Sequence, residues 1–164
     1  MRLSYIIHGD WLKKGELGNF LYRKKVLSNG QSALYALYTV EDEDALRNSI
    51  IYVYVLFGIA DKYKTLVAWA FGKGYGDLDI TATGKCGLEG LKWALENTLL
   101  AANSIRHYNE DHEEYWKTFG HRYKKVRLII AATTPQRYRI YKRALIPYGF
   151  KESRDGYGLY LYYE

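Results

Sequence analysis

Few folds accommodate the stretch ITATGKCGLEGLKWALENTLL, residues 80–100. A β-like run ends at Thr83. Gly84, Gly87 and Gly90 follow, with Lys85 and the chain's single cysteine, Cys86, between the first two. A helix then starts at Leu88, with apolar residues at Leu91, Ala94, Leu95, Leu99 and Ala102. That spacing is the 3.6-residue period of a helix packed on one face. A strand that runs through glycines into a helix presents the helix's unpaired N–H groups and the positive end of its dipole, a combination that holds anions. Glycine allows the close backbone approach that a diphosphate needs, and Lys85 adds a point charge. Three readings stand open at this level: a phosphate cradle, a thiolate at Cys86 stabilised by the helix tip, or a tight strand-to-helix turn. The spacing matches neither G-x-x-x-x-G-K-[ST] nor G-x-G-x-x-G. His107, His112 and His121 are the bases available to a thiol, but no clear histidine-bearing strand is present. His107 and His112 stand five apart, and HEEYW lacks the second histidine of H-E-x-x-H, so no metal site is expected.

The chain has 164 residues, of which 48% are hydrophobic, enough for the core of one domain. One cysteine excludes an intrachain disulfide. No run approaches the roughly 20 apolar residues of a membrane span, and the N-terminus lacks the apolar stretch of a signal peptide. These features predict a single-domain, soluble, cytoplasmic protein without a membrane partner. The net charge of +6 is uneven: residues 115–151 hold ten Lys or Arg and no Asp or Glu. Such a block attracts phosphates, whether of a cofactor or of nucleic acid, or simply forms a solvated face. The 18 tyrosines suit half-buried strand positions, where a ring packs and a hydroxyl stays wet.

Along the chain, RLSYIIHG reads as a first strand and DWLKKGELGNFLYRKKVL has helical spacing. SNGQ is a turn, SALYALYTV is ambiguous, and EDEDALRNS looks like a helix start. IIYVYVLFGI, KTLVAWAFG and DLDITAT suggest a meander of three antiparallel strands. The helix after residue 84 is expected to end near Ser104 and to join two parallel strands by a right-handed crossover. A short helix is expected in the polar connection that follows. KVRLIIAATT is a buried strand. PQRYRIYKRALIPYGF is a helix with Pro135 in its first turn and Thr134 as N-cap, and GLYLYY is the last strand.

Two segments resemble the GNAT superfamily of N-acetyltransferases. DLDITATGKCGLEGLKWALENTLL is similar to that family's fourth strand, pyrophosphate loop and following helix. VRLIIAATTPQRYRIYKRALIPYGFKE is similar to its fifth strand and fourth helix, ending in the family's G-F. Together they cover about 50 of the 164 residues, and the order of elements extends the likeness over residues 50–164. The resemblance implies an α/β (by some schemes α+β) domain spanning 1–164. Its mixed, mostly antiparallel sheet of about six or seven strands would carry helices on both faces.

The resemblance also implies transfer of an acetyl group from acetyl-coenzyme A to a primary amine by direct attack. Backbone groups of Ile80, Thr81 and Ala82 would pair with the pantetheine arm like an added strand. Gly84, Lys85, Cys86, Gly87, Leu88, Glu89 and Gly90 would hold the pyrophosphate, which the Glu89 carboxylate would repel unless it points away. Arg137, with Arg139 and Arg143, would meet the 3′-phosphate. The reaction needs a base for the amine and an acid for the leaving thiolate. Tyr141 is the implied acid, with Tyr138 second, and Asp79 is the implied base. Helix spacing alone also accounts for Tyr141 as a core residue beside Ala144, Leu145 and Tyr148. The competing expectation is a non-enzymatic member of the same fold. It would bind or inhibit nucleic acid or a protein partner through the basic 115–151 region.

Overall fold

The structure, a computed structural model, describes residues 3–7, 13–14, 20–39, 50–61, 87–119, 125–132, 134–155 and 158–164. Seven strands form one sheet: β1 (Lys13–Lys14), β2 (Phe20–Val26), β3 (Ser32–Thr39), β4 (Ile50–Ala60), β5 (Lys125–Ala131), β6 (Lys151–Asp155) and β7 (Gly158–Tyr163), in the order β1-β2-β3-β4-β5-β7-β6. Of the six pairings only β4 with β5 is parallel. Among the described residues four α-helices accompany the sheet: α1 (Leu3–Ile6), α2 (Gly87–Asp111), α3 (Glu113–Phe119) and α4 (Pro135–Leu145). The result is the expected mixed, mostly antiparallel α/β arrangement. Among the described residues no helix is long and apolar enough to cross a membrane.

The pairing register sorts the core onto two faces. Leu37, Val55 and Val53 share one face with Leu128 and Leu161, and α1, α2 and α4 close over it with Leu3, Ile6, Trp93, Ile105, Tyr138 and Leu145. The other face carries Phe20, Leu34, Ala36 and Leu56, with Tyr22 and Tyr38 against them. The helices on both faces that the resemblance implies are therefore not seen among the described residues, where the helical layer covers one face.

Three local expectations are corrected. The first is RLSYIIHG, where Leu3–Ile6 is a short helix: Leu3, Ile6 and Ile7 are buried and Tyr5 is exposed, a helical stripe. The second is Phe20–Val26, a strand rather than a helix, buried only at Phe20 and Leu21 and exposed along Arg23–Val26. The third is the length of α2, which continues past Ser104 to Asp111 because Ile105 and Tyr108 extend its buried stripe. Ile50–Ala60 pairs parallel with β5, and the run before residue 84 lies outside the described residues. The expected strands within 64–83 and the helix start at 41–49 lie outside the described residues.

Other expectations hold. Gly30, at φ 87, closes the β2–β3 turn, and Thr134 Oγ1 accepts the Arg137 N–H at 3.2 Å to cap α4. The short helix α3 and the strands β5 and β7 are present as expected. α4 runs into a 3₁₀ turn, Ile146–Tyr148, and stops at Gly149, whose φ of 96 lies in the left-handed region. A Cβ there would also sit 3.3 Å from the Tyr163 ring. Gly149→Ala is expected to cost about 1–2 kcal/mol of unfolding free energy. Urea titration of the two proteins measures it, and an unchanged midpoint would contradict the account.

Candidate functional site

The central feature is a fork in the sheet. β4 and β5 run side by side from Ile50↔Lys125 to Tyr54↔Ile129 and then part. β4 continues to Ala60 against β3, and β5 continues to Ala131 against β7. Among the described residues no strand pairs with the β5-facing edge of β4 beyond Tyr54. Val55, Leu56 and Phe57, just beyond Tyr54, line a cleft of about 240 Å³.

Each wall of the cleft follows from the local sequence. β4 supplies Val55, Leu56 and Phe57, and β5 supplies Ile130 and Ala131. α2 lays Leu91, Ala94, Leu95 and Thr98 across the fork at helical spacing. α4 adds Arg137, Tyr141 and Leu145 on one face, four residues apart in each step. Tyr38 of β3 completes the lining. Arg137 is the charged side chain among these residues.

The N-terminus of α2 is tied down at the open end of the sheet. Gly90 is buried, and a Cβ there would collide with Ile59 Cδ1, so a larger residue requires that side-chain tip to shift. The Glu89 carboxylate accepts hydrogen bonds from the Ser28 backbone N–H at 3.3 and 3.4 Å and from the Ser28 hydroxyl. It is thereby turned toward the β2–β3 turn, as an anion-holding helix tip requires.

The titratable groups divide clearly. Burial pushes the Tyr141 phenol up, and the positive charge of Arg137, one helical turn away, works against that rise. Tyr141 therefore stays protonated at neutral pH and faces the cleft. Tyr138 does not: it is buried and donates to Glu152 Oε1 at 2.8 Å, an oxygen that also holds Lys142 at 3.2 Å. The structure thus brings Tyr141, not Tyr138, to the cleft. Tyr35, fully buried, has its phenol pushed far up by burial. Thr98 gives its proton to the Ala94 carbonyl at 2.9 Å, which leaves Tyr35 to donate to Thr98 Oγ1 at 3.0 Å. That pair stiffens α2 against β3 and has no proton to spare.

Arg139 and Arg143 are exposed on α4, apart from the cleft lining. Asp79, Ile80, Thr81, Ala82, Gly84, Lys85 and Cys86 lie outside the described residues. His112 stacks on Tyr108 with centroids 4.2 Å apart and sets Nδ1 2.8 Å from the Tyr108 carbonyl, and His107 is exposed. Among the described residues no cluster of His, Cys, Asp or Glu is arranged to hold a metal ion.

Four cations of the basic block are answered by acids from outside it. Lys117 pairs with Glu113 at 2.8 Å, Lys125 and Arg127 with Glu164 at 3.4 and 2.8 Å, and Lys142 with Glu152. Each acid lies just outside residues 115–151, so counting charge along the chain overstates the field. Glu164 also yields a pH dependence. Burial pushes its carboxyl up, but hydrogen bonds and charge from Arg127 and Lys125 outweigh burial and hold it below the ordinary 4.5. A lowered folded value means that the stabilisation is present above about pH 4.5 and is lost as pH falls through the folded value. The Tm gap between the native chain and Glu164→Gln is therefore expected to be open at pH 7 and to close toward pH 3. Thermal melts across that range check it, and a gap that persists in acid would contradict the assignment.

No protein-family model, curated protein or solved structure matches this chain. The function is therefore argued from the cleft itself.

Proposed function

We propose that the chain is an acetyltransferase of GNAT type that moves an acetyl group from acetyl-coenzyme A to a primary amine by direct attack. The observation that carries this reading is the fork: a parallel strand pair opens beyond Tyr54↔Ile129 into an apolar cleft, with a protonated phenol on its wall. Acetyl-coenzyme A, when bound, supplies the acetyl group already activated as a thioester.

The residues present fit such a ligand. The β4 edge at Val55–Phe57 offers backbone donors and acceptors to an extended amide-bearing arm, as in strand addition. The walls formed by Val55, Phe57, Leu91, Ala94 and Ile130 keep water from the reacting group. The Glu89 carboxylate is turned to Ser28, and the N-terminus of α2 would meet an anion such as a diphosphate through its backbone amides. Arg137 brings positive charge to the same cleft and would meet an anionic part of the donor. Tyr141 holds a proton on Oη, ready for a leaving thiolate. The roles proposed for Asp79 as base, and for Ile80–Ala82 and Gly84–Cys86 along the donor, rest on the sequence resemblance.

Calorimetric titration with acetyl-coenzyme A tests the reading. Saturable binding is expected, and no binding at millimolar donor would overturn it. A control titration with single-stranded DNA or RNA addresses the non-enzymatic alternative, whose affinity would fall steeply with salt.

A further inference from the structure

We infer that the acceptor is an amine carried on a flat aromatic ring, and that Tyr38 selects it from the face of the sheet opposite the helices. The inference rests on the acetyltransferase reading and names the acceptor class for the same cleft. Its basis is that the cleft runs through the sheet rather than along it. The lining draws on both hydrophobic clusters. Ala94, Ile130 and Leu145 belong to the cluster under the helices, and Leu56 and Tyr38 belong to the cluster on the other face. Side chains alternate between faces along a strand, so Leu56 stands opposite its neighbours Val55 and Phe57, which pack against the helical cluster. One cavity touches both faces only where the sheet is open, and the pairing of β4 with β5 stops at Tyr54↔Ile129.

The two ends of this slot differ in chemistry. α4 brings Arg137 and Tyr141 to the helical end. The other end is formed by Leu56 and by Tyr38, whose ring stacks on Tyr54 with centroids 5.5 Å and planes 22° apart. Tyr52 leans on Tyr54 in turn, at 6.5 Å and 50°. Tyr38 and Tyr54 are register partners on adjacent strands, so the pairing of β3 with β4 holds the stack in place. A tyrosine ring fixed in this way offers a rigid plane at low entropic cost. A sugar or a carboxylate-bearing amine would lose hydration against Leu56 and Tyr38 and meet no charged lining residue at that end. A flat ring instead buries apolar surface and stacks.

With the donor thioester at the crossing, the amine reaches it from the Tyr38 end and Tyr141 faces it from the helical end. The nitrogen lone pair forms the C–N bond to the acetyl carbon as the C–S bond breaks. Tyr141 gives its proton to the leaving thiolate. The surplus proton on nitrogen passes to water, which reprotonates Tyr141.

Calorimetry on the native chain without donor tests the slot apart from catalysis. N-Acetyl-2-phenylethylamine, the product of such an acceptor, is expected to bind about three- to tenfold more tightly than N-acetyl-2-cyclohexylethylamine, which has the same length but no flat ring. Tyr38→Leu is expected to erase that preference, and Tyr38→Phe to keep it. In turnover, Tyr38→Leu should raise KM for 2-phenylethylamine more than for 2-cyclohexylethylamine, with the smaller effect on kcat. If neither amide binds, if the native chain binds both equally, or if the preference survives Tyr38→Leu, the inference is overturned. Saturable binding of acetyl-coenzyme A in the same chain would then leave the acetyltransferase reading in place. A chain that binds no acetyl-coenzyme A overturns the reading and the inference together.

Discussion

Replacing Tyr141 with phenylalanine is expected to lower kcat for acetyl transfer by about 10²–10⁴-fold, the usual contribution of a positioned acid. Affinity for acetyl-coenzyme A should stay within a few-fold, because the ring that lines the cleft remains. This split between kcat and KM separates a proton donor from a wall. Stability should change little, since Tyr141 packs on the core through its ring, beside Ala144 and Leu145. The pH profile gives a second readout. Burial raises the phenol and Arg137 restrains it, so Arg137→Gln removes the restraint and should move the alkaline limb of kcat upward. An unchanged kcat in Tyr141→Phe would leave the fork as a binding cleft and remove Tyr141 from the chemistry.

How far the fold was legible depends on what each segment buries. β5 and β7 read correctly because β-branched and alternating residues stand on strands that are paired on both sides. α4 read correctly because Thr134 and Pro135 mark its start in chemical terms. The misreadings have a common physical source. Leu17, Phe20 and Leu21 stand at i, i+3 and i+4, which imitates a helix, while the second half of β2 points into solvent and carries no strand signal. At the N-terminus the same spacing, Leu3, Ile6 and Ile7, is a real helix and was passed over for its β-branched residues.

The site was legible in kind rather than in place. Tyr141 and Arg137 follow from the resemblance of α4 to the family's fourth helix, while helix spacing alone accounts for Tyr141 as a core residue. The resemblance puts Ile80–Ala82, which lie outside the described residues, along the donor, and the described strand that lines the cleft is β4. IIYVYVLFGI carried the signal for that strand. It is an unbroken apolar run of the kind that a strand flanked on both sides requires, and β4 occupies that place between β3 and β5. The charge block is partly answered by acids that lie outside it in sequence. Glu113, Glu152 and Glu164 answer it across space, from positions that a window on 115–151 excludes.

The largest stability effects are expected from two buried leucines, and comparing them separates cleft from core. Leu128 of β5 is 0% exposed and lies below the fork, while Leu145 of α4 is 1% exposed and lines the cleft. Each truncation to alanine removes a fully packed side chain and is expected to cost about 2–5 kcal/mol, read from denaturant unfolding. Their functional effects should differ. Leu145→Ala opens the cleft wall three residues before the 3₁₀ turn ends in Tyr148, and it loosens the seat of α4 that aims Tyr141 and Arg137. Its binding of acetyl-coenzyme A and its kcat should both fall, measured well below its melting temperature. Leu128→Ala leaves the lining residues in place, so its folded fraction should bind the donor like the native chain. Equal losses of binding in the two variants, at equal folded fraction, would mean that the cleft is not where the donor sits.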